Sequence, residues 1–381
     1  MEPTALVLIG MELERPIVMA SGCYDLIHAG HLEFLEEAKK LGRSLVVTIA
    51  GDKVLAQHKH RVAGLPAENR KRLVAGLKPV DYVIITDCGE LGMDFLPHFL
   101  GIKPDYLAVT GDDTFAEQKL NLCKANRCNY VQLPKTPPPG GAISTTDIRR
   151  RINARSVVPL RVDFGGGWLD VPKLSRPGAY IVNCTIEPVV TLTEWPYEHN
   201  SGLGGSAAAS LLTGRNAIET ELATAGWQDP AVILETGCCI WASGRFPDLR
   251  QKVNPEFLLG RMALLWTGKP HRQSTGEAVD LERDYDLIAK AGSVAAMGVA
   301  IQKLKELARG VQMSYEAQVG EGMDPLPDAP CLARKYCGSG YGGYAVYIFE
   351  HQRTRTEWAK EVGAKIIEPY IRGVGASQSE I

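Results

Sequence analysis

From Pro16 to about residue 150, short runs rich in β-branched and aromatic residues alternate with helical patterns. The strand-like runs are Pro16-Ile17-Val18-Met19-Ala20, Ser44 to Ala50, Tyr82-Val83-Ile84-Ile85 and Tyr106-Leu107-Ala108-Val109; helical patterns cover Leu32 to Leu41 and Ala67 to Leu77. Such alternation builds a parallel sheet with helices on its faces, and ligands then bind beyond the carboxyl ends of the strands. The expected class of this half is therefore α/β. At 381 residues the chain exceeds one ordinary domain, so two are expected, 1–154 and 155–381. Apolar residues at 45% and charged residues at 23% give both halves the means to bury a core.

The first strand runs into Ser21-Gly22-Cys23-Tyr24-Asp25-Leu26-Ile27-His28-Ala29-Gly30-His31. A strand, a Gly-containing turn lined by Gly22, Cys23, Tyr24 and Asp25, and a helix beginning near His31 make an anion site, because unbonded N–H groups and the helix dipole both favour negative charge. His28 and His31 flank Gly30 on one side of that helix entry and leave room for phosphate oxygens. Both imidazoles can donate hydrogen bonds to charge developing on a phosphorus under in-line attack. The same spacing also suits a metal pair or two unrelated histidines. Downstream, Ile143-Ser144-Thr145-Thr146-Asp147-Ile148 follows a Pro- and Gly-rich loop and opens a second helix. Ser144, Thr145 and Thr146 can cap it while facing a phosphate, and an N-cap before a solvated basic face reads the same way.

Taken together, these segments resemble the cytidylyltransferase-like nucleotidyltransferases, particularly glycerol-3-phosphate cytidylyltransferase and the nucleotidyl-transfer half of the bifunctional heptose enzyme. The resemblance runs from about Pro16 to Ile152 and includes Ala67-Glu68-Asn69-Arg70, Val80-Asp81-Tyr82-Val83 and Gly111-Asp112-Asp113. It implies a Rossmann-like domain in which His28 and His31 hold a triphosphate during attack on its α-phosphorus. Ser144, Thr145 and Thr146 would be further triphosphate contacts and Lys59 a phosphate-neutralising cation, although His58-Lys59-His60-Arg61 equally reads as a solvated basic loop. No covalent intermediate is needed, because the incoming phosphate is itself the nucleophile and Mg²⁺ neutralises the leaving pyrophosphate. CTP is the favoured donor and ATP the next.

Three glycine clusters follow: Arg161-Val162-Asp163-Phe164-Gly165-Gly166-Gly167-Trp168-Leu169-Asp170, then Gly202-Leu203-Gly204-Gly205-Ser206-Ala207, then Lys335-Tyr336-Cys337-Gly338-Ser339-Gly340. Each lets a backbone approach a ligand closely, and each alone also reads as a structural turn. The second runs into an Ala-rich helix but lacks the Lys-Ser/Thr ending of a P-loop, which argues against a Walker-type NTPase.

In order, the three resemble the motifs of the GHMP sugar kinases, especially the fucokinase and heptose-7-phosphate kinase branch, from roughly Val158 to Ile371. The resemblance implies an α+β GHMP kinase-like domain. Arg161, Asp163 and Asp170 would grip sugar hydroxyls; Gly202, Leu203, Gly204, Gly205, Ser206 and Ala207 would cradle the phosphates of ATP, with Ser206 near Mg²⁺; and Gly338, Ser339 and Gly340 would line the substrate. Asp229, within Gly226-Trp227-Gln228-Asp229, would orient or deprotonate the attacking hydroxyl. Glu219 is the expected second magnesium ligand, with Glu221 competing, and Trp266-Thr267-Gly268-Lys269 matches a stretch without an assigned role. The stretch between Pro172 and Gly202 is shorter than the family carries, and Gly205-Ser206 stands where two serines are usual. The domain is thus expected to be shortened, either as a working kinase or as a retained fold that binds or regulates.

A formal net charge of -2 provides no overall basic field for nucleic acid or acidic lipid, so neither is an expected partner. Nine cysteines without a CxxC pair read as reduced thiols of a cytoplasmic protein. The run Ala5 to Ile9 is too short for a signal peptide and precedes Glu12 and Glu14. The expected protein is a bifunctional enzyme whose ligands are CTP or ATP and a sugar or sugar phosphate, with homo-oligomerisation left open. The alternative is a nucleotidyltransferase carrying a non-catalytic second domain.

Overall fold

Ile17 to Ala20 of strand β1 (Ile17–Gly22) are all buried, which is what a central strand covered on both faces requires. The computed structural model describes residues 12–59, 63–87, 92–217, 226–271 and 283–372, in two compact units, Met1–Arg149 and Arg150–Ile381.

In the first unit β1 pairs in parallel with β2 (Ser44–Ala50) on one side and β4 (Tyr106–Thr110) on the other. β3 (Tyr82–Thr86) and β5 (Asn129–Leu133) complete a parallel sheet of order β3-β2-β1-β4-β5. Side-chain alternation splits β1 between two cores. Ile17 and Met19 pack with Val46, Ile84, Phe95 and Phe99, whereas Val18 and Ala20 pack with Leu35, Leu45, Val47 and Ile49. The strand order reverses between β1 and β4, which puts a crevice beyond Gly22, the place where such sheets take ligands. The helices are α1 (Ala29–Lys39), α2 (Asp52–Lys59), α3 (Ala67–Ala75), α4 (Leu96–Ile102) and α5 (Ala116–Ala125), followed by α6 (Thr145–Asn153), within which the chain passes from one unit to the other. α1 begins two residues before the sequence-based expectation, because His28 takes an extended conformation at φ -146°, ψ 170° and serves as its N-cap.

The second unit is α+β. β6 (Val158–Gly165), β7 (Tyr180–Val190), β8 (Cys238–Ala242), β9 (Asp248–Val253), β10 (Met262–Trp266), β11 (Ala333–Tyr336), β12 (Tyr344–Ile348) and β13 (Lys365–Pro369) form an antiparallel sheet of order β11-β12-β10-β13-β7-β8-β9, with β6 also on β7. Its helices are α7 (Gly205–Leu212), α8 (Gln228–Glu235), α9 (Tyr285–Ala300), α10 (Leu304–Gly320) and α11 (Gln352–Val362). The first glycine motif starts inside a strand. Leu160, Val162 and Phe164 of β6 enter the main core while Arg161 and Asp163 project from the opposite face, also buried. All eight cysteines among the described residues are free thiols, and no described helix is long and apolar enough to cross a membrane.

Candidate active sites

In the first unit the turn after β1 carries Tyr24 and Leu26 at φ 48° and 56°, a left-handed backbone unusual for such side chains and typical of functional turns. It delivers His28 and His31 as stacked rings, centroids 3.9 Å apart, with Tyr24 5.3 Å from His31. The Nδ1 of His31 accepts the His28 backbone N–H at 3.3 Å, so His31 caps its own helix and keeps its proton on Nε2. Burial and the neighbouring His28 push His31 down to about 4, and burial also lowers His28. Both rings are therefore neutral hydrogen-bonding groups at neutral pH. The Nδ1 of His28 is buried with no hydrogen-bond partner among the described residues. A Cβ at Gly30 would lie 3.1 Å from the His28 ring, so a side chain there would push the ring aside by a few tenths of an ångström.

Asp25 braces this turn. Its carboxylate accepts from the Gly64 and Leu65 N–H groups at 2.8 and 3.2 Å and from Arg149 Nη2 at 2.6 Å, while its carbonyl accepts from Thr145 Oγ1 at 2.9 Å. Thr145 and Arg149 of α6 are thereby brought to the turn containing His28. Ser144 caps α6 through Asp147, and Thr146 is exposed in its first turn. Arg70, which sequence reasoning quoted without assigning, is fully buried as the hub of the site. It donates to the carbonyls of Leu65, Cys23 and Ala50 at 2.9, 2.6 and 2.8 Å and to Asp52 at 2.7 Å, joining the turn to the end of β2 and the start of α3. The Lys59 side chain lies outside the described residues.

In the second unit Arg161 donates through Nε to Asp229 at 2.7 Å and through Nη1 to the Gly202 carbonyl at 2.7 Å. Asp163 is ion-paired with Lys335 and accepts from the Gly338 N–H at 3.1 Å. Burial alone would raise its pKa, but Lys335 and Arg161 hold it below the ordinary carboxylate value. Lys335, quoted at the head of the third glycine cluster without a role, was the missed partner; it pairs with a residue 172 positions upstream. Asp170 differs, because burial and the charge of Asp229 push it up to about 7 and its contacts are weak, Gln228 N–H at 3.3 Å and Nε2 at 3.4 Å. The Oε1 of Gln228 is buried and unbonded among the described residues.

The second and third glycine clusters meet back to back. Gly202, at φ +77°, would drive a Cβ to 2.5 Å from the Cys337 carbonyl, and Gly338, at φ +61°, would drive one to 3.0 Å from Gly202 Cα. Gly204, also left-handed, is the N-cap of α7, so the N–H groups of Gly205, Ser206 and Ala207 open that helix beside Asp229. Leu203 is buried and its carbonyl accepts from the Arg161 N–H at 3.0 Å, fastening the loop to β6. Ser339 and Gly340 continue the third cluster past Gly338. Glu219 and Glu221 lie outside the described residues. Among the described residues no three His, Cys, Asp or Glu side chains cluster to hold a metal unaided.

Residues 19–151 match the family model of cytidylyltransferase-like proteins. Over 103 residues, 27% of this chain and 63% of the relative, the chain is 45% identical to the FAD synthase of Archaeoglobus profundus. It is 39% identical over 118 residues to the FAD synthase of Archaeoglobus fulgidus, covering 30% of this chain and 82% of that protein. The chain spans just under two thirds of the length of the first relatives it matches, at 63% and 64%. Among solved structures, a D-glycero-D-manno-heptose 1-phosphate kinase from Bacteriodes thetaiotaomicron is similar at 15% identity and a TM-score of 0.40, over 56% of this chain and 95% of that one.

Proposed function

We propose, since this chain belongs to the cytidylyltransferase-like family through residues 19–151, that its first unit joins a nucleoside monophosphate to a phosphomonoester. The second unit, we infer, is a kinase that makes that phosphomonoester from a free sugar, at the anomeric hydroxyl. The observation that carries the reading is the stacked pair of neutral histidines at the helix entry beyond β1. Neutral N–H donors aimed at a triphosphate stabilise charge that grows on the oxygens of the attacked phosphorus and of the leaving pyrophosphate. The acceptor's phosphate oxygen bonds to the α-phosphorus as the bond to the pyrophosphate oxygen breaks, with no enzyme-bound intermediate. Arg70 and Asp25 keep the turn in shape.

In the second unit, the bonds from Arg161 leave the other oxygen of Asp229 for an acceptor hydroxyl. The hydroxyl oxygen bonds to the γ-phosphorus, the bond to ADP breaks, and the hydroxyl proton passes to Asp229. The start of α7 takes the phosphates, and Asp170 and Gln228 face the sugar. Ser206, in the first turn of α7, is an oxygen donor of the kind Mg²⁺ accepts, and with the phosphates it would hold the ion; Mg²⁺ supplies charge neutralisation on the triphosphate.

CTP with a sugar 1-phosphate is the pair we assign to the first unit. Identity to proteins named FAD synthase favours one second reading, ATP with FMN. Pyrophosphate release by the full-length protein, with CTP or ATP against FMN, glycerol 3-phosphate and a panel of sugar 1-phosphates, decides between them. Release with a sugar 1-phosphate supports the first; release confined to ATP with FMN replaces it by the second.

A further inference from the structure

The loop after β10 is tied to the third glycine cluster. Thr267 donates to the Gly343 carbonyl through its N–H at 3.0 Å and its Oγ1 at 2.7 Å, and Gly343 returns a bond to the Lys269 carbonyl at 2.8 Å. The segment leading into the second cluster joins the same knot, with Tyr344 N–H donating to Ser201 at 2.9 Å and His271 N–H to Asn200 at 2.8 Å. A Cβ on Gly343 would fall 2.6 Å from the Ser201 carbonyl and 2.8 Å from His271 Cβ, so the three segments meet without spare room. This fixes His271 at the edge of the loop that opens α7.

The Nδ1 of His271 is buried and has no hydrogen-bond partner among the described residues, an arrangement that is unfavourable until something bonds it. Burial first, and Arg161 second, lower the ring below its ordinary value against the opposing pulls of Asp229 and of its own backbone, which leaves it neutral at neutral pH.

We propose that His271 is a catalytic residue of the second unit, its imidazole N–H donating to a non-bridging oxygen of the transferring phosphoryl group beside the loop that opens α7. The inference rests on the kinase reading above. Among the described residues, Arg161, Lys335 and Lys269 are already engaged, with Asp229, Asp163 and Asp324. His271 is bonded to Asn200, just before the loop that opens α7, and in that reading this helix end takes the donor phosphates. As the acceptor oxygen bonds to phosphorus and the bond to ADP breaks, a neutral donor held in place stabilises the charge on the equatorial oxygens.

The test is a ¹⁵N-imidazole NMR titration of the full-length protein, His271 being assigned by the missing signal in His271→Gln. The probe is Mg²⁺ with β,γ-imido-ATP, then free sugars alone; His28 and His31 report any binding in the first unit separately. Transfer from γ-labelled ATP to a sugar panel is measured alongside. The expected result is a His271 shift with the triphosphate and none with sugar, a roughly 10²-fold loss of kcat at unchanged sugar KM in His271→Phe, and recovery of most of that loss in His271→Gln, which keeps an N–H. A shift with no sugar phosphorylated retains the phosphate contact and overturns the kinase reading. Transfer with an unshifted His271 overturns this inference alone, and neither shift nor transfer overturns both. The wild-type titration decides the matter even if the Phe variant fails to fold.

Discussion

Arg161 grips a single carboxylate oxygen of Asp229 with both Nε and Nη2, at 2.7 and 2.6 Å. The two partners are not equally placed: the arginine side chain is 3% exposed and the aspartate 20%. The pair is thus a buried cation presenting one reachable acid.

That asymmetry separates two variants. Asp229→Asn keeps the shape and an acceptor oxygen, so the second unit should stay folded while phosphoryl transfer falls by about 10²–10⁴-fold, the usual worth of a positioned base. Arg161→Met leaves Asp163 and Asp229 short of their shared cation and should destabilise the unit by about 3–5 kcal/mol. Denaturant unfolding followed by tryptophan fluorescence reads the second unit alone, because all six tryptophans lie between residues 168 and 358. Equal destabilisation by the two variants would contradict the reading of Asp229 as the reachable member.

The contact between the glycine clusters predicts a position-specific cost. Gly202→Ala combines a left-handed φ with a clash against the Cys337 backbone and should lose about 2 kcal/mol or more, together with triphosphate binding. Gly178→Ala shares a positive φ but meets open space, so only the backbone strain of about 1–2 kcal/mol applies. Melting curves and Mg·ATP titrations of the two variants check the difference.

What the sequence revealed of this molecule follows the range of each interaction. The parallel sheet was readable because β1 to β4 are continuous apolar runs separated by helical patterns, a local signal. A helix entry near His31 was readable for the same reason, though its start two residues earlier, capped by His28, was not. That His31 caps its own helix was not, since a ring accepting a backbone N–H leaves no compositional trace. Arg70 stood in a quoted segment, but its role depends on carbonyls at 23, 50 and 65 that only the fold gathers. Lys335 and Asp163 likewise needed β6 and β11 to be brought together. Asp25 and Asp163 were read toward ligands, and the structure shows both carboxylates occupied by protein partners.

Asp170 gives the second unit a pH dependence of unusual sign. Its ordinary value is 3.8 and its folded value about 7, so between these the folded protein holds a proton that the unfolded chain has released. Stability from this group is complete below the lower value and is lost as pH rises through 7. At about 1.4 kcal/mol per pH unit the loss amounts to a few kcal/mol by pH 8. Asp170→Asn should therefore raise the stability of the second unit at pH 8 and leave it nearly unchanged at pH 4, as read by the same fluorescence. A wild-type protein equally stable at pH 6 and pH 8 would refute the assignment.

His31 imposes the opposite slope on the first unit. The unfolded imidazole titrates near 6.5 and the folded one near 4, so unfolding takes up a proton anywhere between them. The contribution is whole above pH 6.5 and disappears as pH falls through 4, about 3 kcal/mol in all at about 1.4 kcal/mol per unit. No tryptophan lies in this unit, so hydrogen-exchange mass spectrometry of peptides spanning β1 and β2 is the measurement. Wild-type protection should drop steeply between pH 7 and 4.5 after correction for the intrinsic rate, and His31→Gln should flatten that drop, since an amide can accept the His28 N–H without taking up a proton. The same variant should lose pyrophosphate release by about 10²-fold or more if the ring donates to the triphosphate. A flattened pH response with full activity would separate the two roles, leaving His31 as a helix cap and His28 as the triphosphate donor.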